Sequence, residues 1–140
     1  MILPRYGIGK KHLIGDDVNL VTNTPCGHFG TSFTDNGNSG LFYAYDYSQE
    51  VSLVYTLHIY QTSQLPKEQT AVEVKILWSH DFRNAVLLID RIPHAVYSFN
   101  EKVGYTDASQ AEPNKKGDWR LHKMTASLRK RFFEEECGWE

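Results

Sequence analysis

From Val72 to Phe99 the chain runs through three short apolar stretches, each rich in Val, Ile, Leu and aromatic residues and each bounded by turn residues. Val72, Val74, Ile76 and Trp78 share one face of the first, with Glu73, Lys75 and Leu77 on the other. Ala85, Leu87 and Ile89 alternate with Val86 and Leu88, and Asp90-Arg91 fits a two-residue hairpin turn into Ile92–Phe99. This period of two predicts antiparallel strands at the centre of one core. Pro93 cannot donate to a ladder, so its nitrogen should face an edge or a bulge.

The same pattern extends outward in both directions. A short strand is expected at His12–Ile14 and another at Asp17–Thr22. His28–Thr34 and Leu41–Tyr47 flank Asp-Asn-Gly-Asn-Ser-Gly, a strong hairpin signal, with Gly30 marking a bulge or an edge. Val51–Tyr60 is apolar on both faces and predicts a central strand. Gln61–Gln69 and Asn100–Gly117 read as polar loops. Beyond them, Asp118 suits an N-cap, and Leu121, Met124, Thr125, Leu128, Phe132 and Phe133 recur every three or four residues. That spacing predicts a helix over Trp119–Glu136. The expected fold is α+β, mainly β: an antiparallel sheet, bent or in two layers, of seven to eight strands with one C-terminal helix packed on it. A chain of 140 residues fits one domain.

Composition narrows the function classes. The net charge of −2 lacks the basic excess of a nucleic-acid binder. No apolar run approaches the ~20 residues of a membrane span, and Lys10 and Lys11 follow the short apolar start instead of preceding it as in a signal peptide. A cytoplasmic protein is expected, with Cys26 and Cys137 as free thiols. The first seventy residues carry the whole net negative charge, which a basic partner can use.

The middle of the chain resembles a bacterial family known as domain of unknown function 2251. The residues that carry the resemblance are Gly40, Phe42-Tyr43-Ala44 with Asp46, His58-Ile59-Tyr60, Trp78-Ser79 with Asp81, Ala85, Leu87 and Ile89, and Pro93-His94-Ala95 with Phe99. Gly104-Tyr105 extends it, so that it spans roughly Gly40 to Tyr105. Where the family has Asn-Gly in its last hairpin turn, this chain has Asp90-Arg91. The resemblance implies a small cytosolic bacterial protein and no particular reaction.

Candidate chemistry is sparse. Six histidines show neither H-x-x-x-H nor H-x-H spacing, and neither cysteine lies in a C-x-x-C pair, so no metal site or cofactor is expected. His28, His58 and Lys75 are the set available for acid–base work on RNA, with nothing in their spacing to select them. Tyr43, Tyr45, Tyr47, Tyr55 and Tyr60 form an aromatic row that either braces the sheet or recognises a partner. The basic residues Arg120, Lys123, Arg129, Lys130 and Arg131 read as a solvated helix face.

The expected function is that of an immunity-type protein, not an enzyme, which covers the active site of a cognate, basic bacterial toxin domain such as a nuclease. Asp35, Tyr43, Tyr45, Asp46, Tyr47 and Glu50 are the expected contact residues, and the protein itself a monomer or weak homodimer. The alternative is a small hydrolase or nuclease using His58 or His94 with a nearby carboxylate; a third reading is a homo-oligomer joined through an exposed strand edge.

Overall fold

A computed structural model describes residues 7–64, 71–106 and 119–125. The three runs from Val72 onward form the middle of a six-stranded sheet: β6 (Ala71–Trp78), β7 (Asn84–Ile89) and β8 (Ile92–Ser98). β1 (Gly7–Leu13) pairs antiparallel with β6 on one side. β9 (Val103–Thr106) and β10 (Arg120–Lys123) complete the other, giving the order β1-β6-β7-β8-β9-β10, with β10 parallel to β9. A second, four-stranded antiparallel sheet has the order β2-β3-β4-β5, from β2 (Val18–Asn23), β3 (Phe29–Asp35), β4 (Ser39–Asp46) and β5 (Leu53–Gln61).

The sheets pack face to face because each strand alternates apolar and polar positions. Phe33, Phe42, Tyr55 and Leu57 from the smaller sheet meet Val74, Ile76, Trp78, Leu87 and Tyr97 from the larger. Phe42 stacks on Tyr97 at 4.7 Å, and the Tyr97 hydroxyl donates to the Phe42 carbonyl across the gap. Trp78 is fully buried, and its indole N–H donates to Thr22 of the opposite sheet (3.3 Å). Gly104 lets the sheets approach there, since a Cβ would meet Leu57 and Tyr55 within 3.3 Å. The outer face of the larger sheet carries a second apolar cluster of Val86, Val96, Val103, Tyr105 and Met124.

Several expectations are corrected. The described residues form ten strands, where seven to eight were expected. Among the described residues there is no α-helix, only a 3-10 turn at Thr62–Gln64. The predicted C-terminal helix fails over its first turns: β10 is extended, and Trp119 is inserted among Tyr55, Tyr97 and Phe99. The rest of that helix, 126–136, lies outside the described residues, as does its predicted cap at Asp118. The expected loop from Asn100 contains β9, all four of whose residues are buried. β5 is an edge strand, not a central one, and β3, read as an edge or bulge at Gly30, is central. The reading of Pro93 holds, for the register of β7 and β8 shifts beside it.

Candidate functional site

The outer face of the four-stranded sheet is built by inheritance from its inner one. Phe42 and Ala44 point into the core, so Tyr43 and Tyr45 stand on the opposite side of β4. Tyr47, just past the strand end, continues the row. Ring centroids lie 6.4 Å apart from Tyr43 to Tyr45 and 6.0 Å from Tyr45 to Tyr47, whose planes differ by only 3°.

Two of these rings are pinned. The Tyr45 hydroxyl is hydrogen-bonded to Ser32 on β3 (3.0 Å), and the Tyr47 hydroxyl donates to the Asn23 side chain at the end of β2 (2.6 Å). Tyr47 therefore reaches across β3, over Gly30. A Cβ at Gly30 would stand 2.7 Å from the Tyr47 oxygen and 2.3 Å from Asn23 Oδ1, so only glycine fits beneath the ring. Burial, then the neighbouring Tyr45, pushes the phenols of Tyr43 and Tyr47 above their ordinary pKa, and both stay neutral. The four strands of this sheet carry neither lysine nor arginine, and Asp35 and Asp46 are their only carboxylates.

Asp35 does not join this face. It follows Phe33 and Thr31 on the inward side of β3 and is 1% exposed. Its carboxylate is a hub between the two sheets. One oxygen accepts from Tyr60 (2.6 Å) and the Gly15 amide (2.8 Å) and lies 3.0 Å from His12 Nε2 on β1; the other accepts from the Gly37 amide (2.9 Å). Burial alone raises the Asp35 pKa, but the bonds from Tyr60, Gly15, Gly37 and His12 outweigh it and hold the carboxyl below its ordinary value. Tyr60, sharing that environment, is pushed far above the ordinary phenol range by burial and by the carboxylate.

Tyr60 reaches Asp35 because the β4–β5 register shifts between Gly40 and Leu41. The ring then crosses Gly40, where a Cβ would lie 2.6 Å from two ring carbons. Tyr55 also points inward, 2% exposed. The predicted row of five tyrosines is thus a row of three.

Asp46 is occupied locally. It accepts from the Ser48 amide (3.0 Å) and hydroxyl (2.6 Å) and lies 3.8 Å from His28 Nε2. Glu50 is exposed on the β4–β5 connection. Sequence reasoning missed Ser32 and Asn23, which fix two of the rings, and read Gly30 as a bulge or an edge and not as the site beneath Tyr47; a glycine within a strand beside alternating tyrosines was the available signal.

The histidine sets are dispersed. His58 is exposed on the outer face of β5, while His94 sits at the bulge of β8 in the other sheet, so the two are not on neighbouring strands. Lys75, on β6, pairs with Glu73 (3.3 Å). Among the described residues no group of three or more His, Cys, Asp or Glu side chains is placed to hold a metal ion. Cys26 is exposed and free, and Cys137 lies outside the described residues. Among the described residues no helix is long and apolar enough to cross a membrane.

The residues that carried the family resemblance have structural duties here. The Ser79 hydroxyl donates to Asp81 (2.7 Å), which accepts the Arg83 amide (3.0 Å), so the Trp-Ser-x-Asp segment closes the β6–β7 turn. Gly40 and Tyr60 serve the Asp35 hub.

Comparison with known proteins extends the resemblance well past Gly40–Tyr105. An uncharacterized protein of Haemophilus influenzae is 33% identical over 99 residues, which is 70% of this chain and 62% of that relative, so the chain spans about three fifths of the relative's length. No solved structure matches. The profile of a family described as an uncharacterized protein conserved in bacteria matches residues 12–133, and the chain therefore belongs to that family, domain of unknown function 2251.

Proposed function

We propose that this protein works by binding another protein on the outer face of its four-stranded sheet, and that it is of the immunity type: the partner is a bacterial toxin domain whose active site it covers. The observation that carries this reading is the row Tyr43, Tyr45 and Tyr47, with two of its rings held down by Ser32 and Asn23 on a sheet whose four strands carry neither lysine nor arginine. Rings fixed before binding lose little conformational freedom on contact. Tyrosine among Ser, Thr and Asn is also the chemistry of protein-recognition surfaces, with apolar area from the ring and adaptable hydrogen bonds around it.

Asp46 and Glu50 at one end of the row would steer a basic partner, in keeping with the negative charge of the first seventy residues. Asp35, buried and fully engaged, takes no part in contact. A hydrolase built on His58 or His94 gains nothing from their placement in different sheets.

The test is co-purification of the tagged protein from its host, followed by affinity measurement for the captured partner. The expected result is one stoichiometric partner, toxic when produced alone and rescued by co-expression. Replacing Tyr45 and Tyr47 together with Ala should weaken binding at least ~30-fold, as for a hot spot of about 2 kcal/mol, with the circular dichroism spectrum unchanged. A partner held equally well by that double variant would remove the tyrosine face from the proposal. A protein that emerges without any partner would remove the immunity role.

A further inference from the structure

Strand edges are where sheets join, and the two sheets formed by the described residues present four of them. Unpaired N–H and C=O groups along an edge recruit other strands unless charges, bulges or shortness protect it. β1 carries the exposed lysines Lys10 and Lys11. β10 is four residues long and exposes Arg120, His122 and Lys123. β5 is twisted by two register shifts against β4. β2, Val-Asn-Leu-Val-Thr-Asn, has none of these devices: no charge, no proline, and an unbroken register with β3 from Val18–Asp35 to Asn23–Gly30.

The hydrogen-bond phase of β2 can be fixed. The Thr24 amide donates to the Phe29 carbonyl (2.9 Å), one step beyond the Asn23–Gly30 pair. In an antiparallel ladder such bonded pairs alternate, so Val18, Leu20 and Thr22 direct their backbone groups at β3. The backbone groups of Asn19, Val21 and Asn23 point away from the sheet. Their side chains lie on the outer face, and Val21, at the middle, is 44% exposed.

The geometry points to a homodimer formed by antiparallel pairing of β2 with β2 of a second copy about a twofold axis at Val21. In that register Val21 faces Val21, Asn19 faces Asn23 and Leu20 faces Thr22. Each pairing keeps inward residues with inward and outward with outward. The outward-pointing backbone groups of Asn19, Val21 and Asn23 fall opposite one another, so the Val21–Val21 pair and the two Asn19–Asn23 pairs each exchange both N–H···O=C bonds. The contact brings no charge against its copy, amide meets amide, and Val21 covers Val21. Self-complementarity of this kind is what a twofold interface requires, and it selects a second copy of the chain as occupant over an unrelated strand. The four-stranded sheet is doubled, and its two tyrosine rows come to lie on one continuous face. The pairing stands whether or not that face binds a partner.

Sedimentation equilibrium over about 5–500 µM tests the pairing in the range expected of a small interface. The wild-type protein should pass from monomer to dimer, and Val21→Lys should stay monomeric with its melting temperature unchanged, because that side chain is already exposed. A second measurement fixes the register. With Cys26 and Cys137 replaced by Ser, Val21→Cys should oxidise to a covalent dimer, since facing bonded pairs lie ~5.5 Å apart between Cα atoms. Asn19→Cys should not, its own copy being roughly 13 Å away at ~3.3 Å per residue. A wild-type protein that remains monomeric across the range overturns the inference. So does a dimer that Val21→Lys leaves intact, or cross-linking through Asn19→Cys in place of Val21→Cys.

Discussion

Two buried polar side chains on β3 illustrate opposite solutions to one cost. Asp35 is an ion in the interior, tolerable because four donors converge on its carboxylate. Thr31, two rungs away from Phe33 toward Gly30 on the same inward face, buries its hydroxyl with no hydrogen-bond partner among the described residues. An unsatisfied buried hydroxyl costs free energy that an isosteric methyl does not. Thr31→Val should therefore stabilise the fold by about 1 kcal/mol, read as a higher urea midpoint with unchanged slope. A loss of stability would show that the hydroxyl has a use in the folded state. Neither role was visible in the sequence. Asp35 opens the run Asp-Asn-Gly-Asn-Ser-Gly, whose composition says only that a turn is near. It is the parity of Phe33 and Asp35 in β3 that turns the carboxylate inward, and His12 and Tyr60 come to it from distant strands.

At the scale of elements, legibility followed the strength of local pattern. β6, β7 and β8 were readable because alternation and turn residues agree. The Asp90-Arg91 turn was readable too, and its geometry explains why Asn-Gly is the commoner choice. Both residues have positive φ, 50° and 67°, as a type I′ turn demands. Asp90 also accepts from the Glu73 amide (2.8 Å), whereas the Arg91 side chain makes no hydrogen bond or ion pair among the described residues. Relief of the left-handed strain at Arg91, less the extra freedom glycine gives the unfolded chain, leaves a net gain. Arg91→Gly should raise stability by roughly 0.5–1 kcal/mol in denaturant titrations. A decrease would place the arginine side chain in an interaction the turn needs. β9 and β10 were not readable. Val103–Thr106 is only four residues within a polar stretch, and its burial is imposed by β8. Leu121 and Met124, three apart, fit a helical period; in the extended chain they fall on opposite faces, Leu121 against the inner core and Met124 in the outer cluster. What decides is Trp119, whose indole has a place ready among Tyr55, Tyr97 and Phe99. The tyrosine row shows the same division: the i, i+2 spacing of Tyr43, Tyr45 and Tyr47 was local and legible, but a register shift in β5 sent Tyr60 to the other side.

For the molecule as a whole, the Asp35 hub ties the edge strand of one sheet to the centre and far edge of the other, through His12 on β1, Asp35 on β3 and Tyr60 on β5. Its charge state should therefore enter global stability and not merely local order. The bonds that Asp35 accepts hold its folded pKa below the value near 3.9 that it has in an unfolded chain. In the acid range the unfolded state thus takes up the proton first, and stability falls as pH falls. The contribution of Asp35 is complete above the unfolded pKa and is lost as the pH drops through the folded one. Asp35→Asn removes the charge and turns an amide N–H₂ toward donors that need an acceptor, so at neutral pH it should cost roughly 3 kcal/mol. The gap between wild type and Asp35→Asn should stay constant from about pH 7 to about pH 5 and close progressively below about pH 4, because only the wild-type group then protonates. Urea unfolding of both proteins at several pH values reads this directly, and taking the difference cancels the other carboxylates. A gap as wide at about pH 3 as at about pH 7 would mean that the shape of the Asp35 side chain, and not its charge, joins the two sheets.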